Sequence, residues 1–337
     1  MVFTARKPEI TDNQACEIVL KYWGINSSVR FLTSERDQNI LVEAEEGDRY
    51  LLKLSHPDED RSVSNLQTSA LLHIGSRDHG LPVPKILPAL DGAFECFVSL
   101  NDGRKCLVRL MSFLEGRHVS IEGITKKMAK DIGHNAARLD IALSDCKHPA
   151  GDHDFLWDTR KLVDLYTLLP HIKDQEKRKK TAVLLQSFCN DILPQLTALP
   201  QQLIHNDLNL GNMLIANNTV SGIVDFGDML WAQRVIDPAN LCAYLIENSD
   251  DPFRLVSSVI QKYIETNPLT SDETAILPYL MMGRCLLTIL ITNWRASLYP
   301  EQATRILRYE RNAYASIKRI DAFKSNFSDI FWEKINV

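Results

Sequence analysis

The sequence has no C-x-x-C pair among its seven cysteines and no apolar run within its first ten residues. Closely spaced cysteines would indicate a zinc site or a disulfide framework, so their scatter predicts neither. The missing apolar run predicts that there is no signal peptide. Scattered thiols are typical of proteins kept in a reducing compartment, and we therefore expect a cytoplasmic protein.

Basic charge and long uncharged stretches are scarce as well. Lys and Arg number 38 against 43 Asp and Glu, a formal net charge of −5, which lacks the basic excess that nucleic-acid binding needs. The longest apolar stretch runs from Ile276 to Trp294, and it contains Pro278 and carries Arg284 near its centre. Because a charge at mid-bilayer is costly, we predict a buried core helix and no membrane partner.

The hydrophobic pattern changes character near Gly116. Before this point, short strand-like segments alternate with polar turns, and a single inserted helix is expected at 66–74. After it, apolar residues recur at helical spacing over most of the chain. The pattern predicts an α+β protein with a β-rich N-terminal lobe at 1–110, a hinge at 111–116 and a mostly helical C-terminal lobe at 117–337.

Two helix starts carry a local signature. Thr11 with Gln14, and Thr270 with Glu273, have the spacing of a capping box, in which each side chain bonds the backbone of the other residue. The spacing of apolar residues also predicts a helix over 155–169.

One polar loop combines residue types that phosphoryl transfer needs. Residues 205–212 read H-N-D-L-N-L-G-N, which places Asp207 five residues before Asn212, and Asp225 of a D-F-G triplet follows thirteen residues later. One carboxylate must orient the attacking hydroxyl and accept its proton, while an amide oxygen and a second carboxylate hold magnesium on the phosphates. The order and spacing predict Asp207 as the base and Asn212 and Asp225 as metal ligands.

The same chemistry needs a lysine that neutralises the phosphates that are not transferred. Lys53 lies within the apolar, strand-like segment 50–54, where an unpaired ammonium would be expensive to bury. A strand lysine that precedes both carboxylate motifs in the chain fits the expected order. We therefore predict that Lys53 contacts phosphate.

At these residues the sequence resembles the aminoglycoside phosphotransferase and choline kinase superfamily, and most closely its hydroxylysine kinase branch. The resemblance covers nearly the whole chain and rests on stretches such as LVRLMSFLEGR, LIHNDLNLGNMLI, VSGIVDFGDM and RCLLTILITNWRASLYPE. It implies a protein-kinase-like two-lobed fold. It also implies transfer of the γ-phosphoryl group of ATP or GTP, with Mg²⁺, to the hydroxyl of a small hydroxylated amine or amino acid.

The resemblance assigns the same roles to the base, the two metal ligands and the lysine, and it adds two more. The backbone from Met111 to Phe113 matches the hinge that hydrogen-bonds the nucleotide base. His205 matches a residue that braces the catalytic loop.

The turn at residues 34–39 departs from the protein-kinase pattern, because it contains no glycine. Its polar side chains either contact the nucleotide phosphates or belong to a solvated hairpin turn. The residues that we expect to bind the nucleotide here are Ser34, Arg36 and Asn39.

The partner of Lys53 is a second departure. Protein kinases carry a glutamate at the matching position of the inserted helix, and the best-aligned residue here is Gln67. An amide would hold the lysine less strongly than a carboxylate, so Glu43 or another acid is the alternative partner.

Three residues are candidates for the substrate side. Asp228 either binds a substrate ammonium by a charge-assisted hydrogen bond or acts as a helix cap. Arg284 needs an anionic partner if it is buried, and this is either a core acid or a substrate carboxylate. Trp157 either faces a cationic ligand or belongs to the core, as does Trp294.

Alternative functions within the same fold are a kinase for an aminoglycoside, for choline or ethanolamine, or for homoserine. A catalytically silent nucleotide-binding module is a further alternative. A protein kinase is disfavoured, because Asp237-Pro238 follows Asp225 too closely for a usual activation loop. The sequence leaves the acceptor, the choice between ATP and GTP, and the oligomeric state open.

Overall fold

The computed structural model describes residues 7–34, 36–246, 252–324 and 327. The first element, α1 (Asp12–Trp23), begins where predicted, because the Thr11 hydroxyl accepts the Gln14 N–H and the Gln14 side chain accepts the Thr11 N–H. The helix ends at Gly24, whose φ of 71° is the left-handed conformation that favours glycine. The first predicted capping box is therefore confirmed.

An antiparallel sheet of six strands follows α1. Its strands are β1 (Ser27–Leu32), β2 (Gln38–Ala44), β3 (Arg49–Leu54), β4 (Ile86–Leu87), β5 (Cys96–Ser99) and β6 (Lys105–Ser112). They lie in the order β1-β2-β3-β6-β4, and β5 also pairs with β6. Helix α2 (Arg61–Arg77) is inserted between β3 and β4, as predicted.

The register of the sheet brings three polar residues into one row. Asn39 on β2 lies opposite Lys53 on β3, and Lys53 lies opposite Arg109 on β6. Directly paired residues project from the same face of a sheet. All three side chains consequently line one cavity between the sheet and the helical part of the chain.

Beyond Ser112 the described chain is mostly helical. The helices are α3 (Lys126–Leu143), α4 (Gln175–Ser187), α5 (Leu193–Thr197), α6 (Ile236–Leu245), α7 (Pro252–Thr266), α8 (Ser271–Leu298) and α9 (Ala303–Asp321). Two small sheets interrupt them, and their strands are β7 (Gln201–Ile204) with β10 (Leu230–Gln233), and β8 (Met213–Ala216) with β9 (Thr219–Ile223). The predicted α+β class is confirmed, whereas the predicted lobe boundaries stay a prediction.

Helix α8 forms the centre of the helical core. Thr270 and Glu273 make the second predicted capping box, and most of the helix is buried, including Arg284. Within the described residues, α8 alone is long and apolar enough to cross a membrane, but 83% of its most apolar window is buried inside the protein. This burial is what the predicted core helix requires.

The helix predicted over 155–169 begins later and is wound more tightly than an α-helix. The chain forms a 3-10 helix at Thr159–His171. Asp158 accepts the Arg160 N–H at 2.9 Å and so starts a tighter turn, and Pro170 has no N–H to extend a helical ladder. All seven cysteines are free thiols, and the cytoplasmic location stays a prediction.

Candidate active site

Asp207 lies on the loop that follows β7, and the start of α6 holds this loop in place. The buried Asp237 carboxylate accepts the backbone N–H groups of His205 at 2.8 Å and of Asn206 at 2.7 Å. Asn240 donates its side-chain amide to the Asn206 carbonyl at 2.6 Å. Asn206 has a φ of 65°, which asparagine tolerates better than most residues. These bonds fix the backbone directly before the predicted base.

His205 connects the two carboxylate-bearing segments. Its Nδ1 accepts the Asp207 N–H at 3.3 Å, so the ring proton lies on Nε2, which donates to the Val224 carbonyl at 3.1 Å. The ring also packs edge-on against Phe226, with centroids 4.8 Å apart. His205 thus braces Asp207 against the segment that carries Asp225, as the resemblance implies.

The Asn212 side chain is oriented by Asp207. Its Nδ2 donates to the Asp207 Oδ2 at 2.7 Å and to the Asp207 backbone carbonyl at 2.9 Å. Because both acceptors are oxygens, the amide nitrogen must face Asp207 and the amide oxygen Oδ1 must point away from it. Such an outward-facing oxygen is what a metal ligand needs.

Asp225 lies next to Asn212 through the backbone. The Val224 N–H donates to the Asn212 carbonyl at 2.9 Å, and Asp225 then adopts a left-handed φ of 64°. Within the described residues no group of three or more His, Cys, Asp or Glu could hold a metal by itself. One amide oxygen and one carboxylate fit Mg²⁺, which keeps several waters and takes nucleotide phosphates as its other ligands.

Lys53 pairs with Asp37, so of the alternatives for its partner, Gln67 or an acid, the structure shows an acid, although it is not Glu43. The Lys53 Nζ lies 3.0 Å from the Asp37 Oδ2, and the other carboxylate oxygen accepts the His56 N–H at 3.0 Å. Burial alone would raise the pKa of Asp37, but Lys53 and Arg36 outweigh it and lower the pKa to about 2. The pair is therefore charged at neutral pH.

Gln67 is hydrogen-bonded to Arg109, which lies opposite Lys53 on the adjacent strand of the sheet. The Arg109 Nη2 donates to the Gln67 Oε1 and to the Ser55 hydroxyl, both at 3.0 Å, and Nη1 donates to the Ser64 carbonyl and to the Thr68 hydroxyl. Burial lowers the pKa of Arg109, because its hydrogen-bond acceptors are neutral. Helix α2 is thereby tied to the neighbouring arginine instead of the lysine.

The residues predicted to contact phosphate from the β1–β2 turn differ in placement. The Ser34 hydroxyl donates to the Asp37 carbonyl and so closes the turn locally. The Arg36 Nη2 lies 2.8 Å from the Glu59 Oε1, and it is close enough to Gly227 that a Cβ there would meet it at 3.2 Å. Asn39 faces the cavity beside Lys53. Their contact with nucleotide stays a prediction.

The cavity has a volume of about 410 Å³ and is lined by both apolar and polar residues. Its apolar lining includes Leu51, Met111 and Phe113 of the predicted hinge region, and its polar lining includes Lys53, Asn212 and Asp225. The Ser112 N–H already donates to the Lys85 carbonyl, and the Phe113 N–H to the Arg49 carbonyl. A base bound here therefore has to use other groups of the hinge than these two amides.

Asp228 lies close to both other carboxylates, as predicted. Burial raises the pKa of Asp228, and the charges of Asp207 and Asp225 raise it further, to about 7, although Arg36 and Arg284 oppose this shift. The side chain is only partly exposed. Asp228 is therefore a carboxyl group whose ionised form lacks a sufficient cationic partner.

Arg284 contacts the predicted base itself. Its Nη2 lies 2.5 Å from the Asp207 Oδ1 and donates to the Tyr244 hydroxyl at 3.0 Å, and its guanidinium packs on the Trp157 ring, 5.0 Å from the centroid. The residue is only 4% exposed, and its Nη1 has no hydrogen-bond partner among the described residues. Burial would lower the pKa of Arg284, but Tyr244 and Asp207 raise it, so the guanidinium stays charged.

Four contributors to the site were not predicted from the sequence. Asp37 is one of six polar residues in its turn, and nothing in the sequence distinguishes it from the other five. Arg109 and Tyr244 lie in segments that have the ordinary pattern of a strand and of a helix. Asp237 could have been found, because an acid at the start of the apolar run 236–246 needs buried donors. The four residues are Asp37, Arg109, Asp237 and Tyr244.

Lys53, Asn212 and Asp225 line one cavity, and the predicted base Asp207 is bonded to Asn212. This combination defines a phosphotransferase site. A profile of the phosphotransferase enzyme family, APH, matches residues 28–259. The chain belongs to this family, and it is a phosphotransferase that uses a hydroxyl acceptor.

Curated relatives and solved structures agree with this assignment. A hydroxylysine kinase from Danio rerio is 26% identical over 330 residues, covering 93% of this chain and 92% of the relative. An amicoumacin kinase in complex with AMP-PNP, Ca²⁺ and Ami aligns with a TM-score of 0.68 at 16% identity, covering 90% and 93% of the two chains. A microcompartment-associated aminopropanol kinase aligns with a TM-score of 0.66 at 20% identity, covering 94% and 98%. The predicted kinase-like fold is confirmed.

Proposed function

We propose that the protein is a hydroxylysine kinase-like enzyme that transfers the γ-phosphoryl group of ATP or GTP to the hydroxyl of a small hydroxylated amine or amino acid. The observation that carries this proposal is the Asp207–Asn212 pair, which joins a carboxylate that can accept a proton to an amide oxygen that can hold a metal ion. Relatives named hydroxylysine kinase support the acceptor class, and the AMP-PNP complex of a structural neighbour supports a nucleotide co-substrate.

Asp207 orients the acceptor hydroxyl and receives its proton. The Asp207 Oδ1 is held by Arg284 and the Oδ2 by Asn212, and each oxygen keeps a second lone pair that can accept the hydroxyl proton. As the hydroxyl oxygen bonds to the γ-phosphorus, the bond from this phosphorus to the β-phosphate oxygen breaks, and a nucleoside diphosphate leaves. Geometry fixed in advance is the main contribution that a protein makes to this reaction.

The remaining polar residues of the cavity serve the nucleotide. Asn212 and Asp225 hold Mg²⁺, which when bound supplies positive charge to the phosphate oxygens. Lys53 contacts the phosphates that are not transferred, and Asn39 lies beside it on the same row of the sheet. Met111 and Phe113 line the cavity together with Leu51, and these apolar side chains suit the nucleotide base.

The acceptor side combines a carboxyl group, that of Asp228, with the guanidinium of Arg284, and the two suit a zwitterion. Asp228 lies close to Asp207, so it binds an ammonium group near the reacting hydroxyl. The buried Nη1 of Arg284 has no hydrogen-bond partner among the described residues, and it binds a carboxylate once the acceptor displaces the side chains that cover it, while Nη2 stays on Asp207. Trp157 packs behind the guanidinium and limits its movement. An acceptor with ammonium, hydroxyl and carboxylate groups is a hydroxy amino acid.

A substrate panel tests the proposal. Release of nucleoside diphosphate is measured with ATP and with GTP on hydroxylysine, a vicinal amino alcohol, choline, ethanolamine, homoserine and an aminoglycoside, with Asp207→Asn as the matched inactive control. We expect the highest kcat/KM on hydroxylysine. Higher kcat/KM on choline, homoserine or the aminoglycoside would replace this function with that alternative. Nucleotide binding without turnover on any acceptor would favour the silent module.

A further inference from the structure

The anchor of the phosphate-contacting lysine lies on a turn and not on a helix. We propose that Asp37 is the positioning residue that fixes the Lys53 ammonium for phosphoryl transfer, in the place of the helix glutamate of protein kinases. The turn between β1 and β2 thereby acquires the role that helix α2 would otherwise have. This inference rests on the phosphotransferase activity and does not depend on which acceptor is used.

The acid of the ion pair is held from two sides, and both side chains are largely buried. The Asp37 carboxylate accepts the Lys53 ammonium on one oxygen and the His56 N–H on the other, each at 3.0 Å. The Lys53 side chain is 12% exposed and that of Asp37 is 7% exposed, so water competes little for the pair. An ammonium has three N–H donors, and one bond to Asp37 directs the other two toward the cavity.

Helix α2 has no comparable hold on the lysine. Its Gln67 accepts from Arg109, and Arg109 also bonds to Ser64 and Thr68 of the same helix. These contacts join α2 to β6 through neutral acceptors. Since no residue of α2 is Asp or Glu, a movement of this helix would not deliver a carboxylate to Lys53 in the way that a helix glutamate does.

The turn that carries Asp37 also reaches the metal-ligand segment. Arg36 lies between Asp37 and Glu59, with its Nε 3.5 Å from the Asp37 Oδ1 and its Nη2 2.8 Å from the Glu59 Oε1. The same guanidinium lies over Gly227, directly after the D-F pair that begins with Asp225. One glycine-free turn therefore holds the lysine and places a second cation beside Asp225.

Asp37→Asn tests the role of the carboxylate. We expect kcat/KM for the nucleotide to fall about 100-fold, because a misplaced lysine loses its alignment with the phosphates. The KM of the acceptor should change far less. Asp37→Glu keeps a carboxylate and should retain more activity than Asp37→Asn. Asp58→Asn, an exposed acid nearby, is the matched control and should behave as the parent enzyme. Thermal unfolding checks that each variant is folded.

A double-mutant cycle separates positioning from general stabilisation. In a Lys53→Met background, Asp37→Asn should weaken nucleotide affinity and kcat/KM less than about threefold, because its target is already gone. The full loss in that background would overturn the proposal. An equal loss in Gln67→Leu would also overturn it, because α2 would then position the lysine. Nucleotide affinity, measured by calorimetry, remains readable even if no acceptor of the panel is phosphorylated, so failure of the proposed substrate does not obscure the result.

Discussion

The nucleotide side and the acceptor side of Asp207 differ in whether their buried carboxyl groups have a cationic partner. On the nucleotide side, Lys53 is paired with Asp37 and Arg36 with Glu59, all within the protein. On the acceptor side, Arg284 is paired with Asp207, but Asp228 has a raised pKa because its ionised form lacks a sufficient cationic partner.

This difference indicates what each side is built to receive. A matched pair supplies a fixed field, which suits a polyphosphate that arrives with its own metal ion. A buried carboxylate without a sufficient cationic partner is costly, and a ligand that brings a positive charge compensates it. The raised pKa of Asp228 therefore agrees with the proposed amine acceptor.

The largest effect is expected at the border between the two sides. Asp207→Asn removes the proton acceptor while it keeps the size of the side chain, and we expect kcat to fall about 1000-fold. The KM for nucleotide should change little, because Asp207 does not line the nucleotide cavity. Steady-state kinetics measures both values. A variant that keeps more than about a tenth of the parental kcat would remove Asp207 from the role of base.

Arg284→Ala tests the acceptor side directly. We expect the KM of a hydroxy amino acid to rise about 100-fold and that of the corresponding amino alcohol to rise only slightly, because only the former has a carboxylate. The kcat should fall with both, since Asp207 loses its contact with Arg284. Tyr244→Phe removes a hydroxyl that holds the arginine and leaves its charge, so it should show a smaller split. Equal increases in KM for both acceptors would exclude the carboxylate contact.

The ion pair of Lys53 and Asp37 should contribute to the free energy of unfolding, and this contribution should depend on pH. The pKa of Asp37 is lowered from 3.8 to about 2, so its stabilisation is present above about pH 4 and is lost as the pH falls through 2. We expect Asp37→Asn to reduce the free energy of unfolding by about 2 kcal/mol at pH 7 and by about half as much at pH 3. Denaturant titrations at both pH values measure this, with Asp58→Asn as the control. The same loss at both pH values would contradict a charged pair.

The smallest effect concerns the unmatched acid on the acceptor side. Because the pKa of Asp228 is about 7, its carboxylate form becomes dominant only above neutral pH. We expect the affinity for an amine acceptor, measured by calorimetry without nucleotide or metal, to rise about tenfold from pH 6 to pH 8. Asp228→Asn should remove this pH dependence. A parent enzyme with the same affinity at both pH values would assign the ammonium contact to another residue.

The site residues that lie close together in the sequence could be predicted, because their order and spacing match what phosphoryl transfer requires. Asp207 and Asn212 lie on one loop, and Asp225 follows the β8–β9 hairpin, so local sequence brings them together. Lys53 was recognisable for a different reason, since a lysine within an apolar strand needs a compensating partner. The α+β class followed from the change of hydrophobic period near Gly116.

The partners of the buried cations could not be predicted, because they depend on packing between distant segments. Gln67 lies at the expected position of the helix, but its side-chain oxygen accepts a hydrogen bond from Arg109 on β6 instead of from Lys53. Arg284 required an anion, and 77 residues separate it from the one that it contacts, Asp207. The burial cost predicts that a partner exists, whereas strand register and helix rotation decide which residue it is.

Helix α6 carries two contacts of the site on a single face. Asp237 at its start holds the backbone of the catalytic loop, and Tyr244, seven residues or about two turns later, holds Arg284. Asp237 and Tyr244 thus support the surroundings of Asp207 from two positions on one rigid element. A substitution at Tyr244 would shift Arg284 and, through it, Asp207, so α6 couples any evolutionary change on the Arg284 side to the rate of phosphoryl transfer.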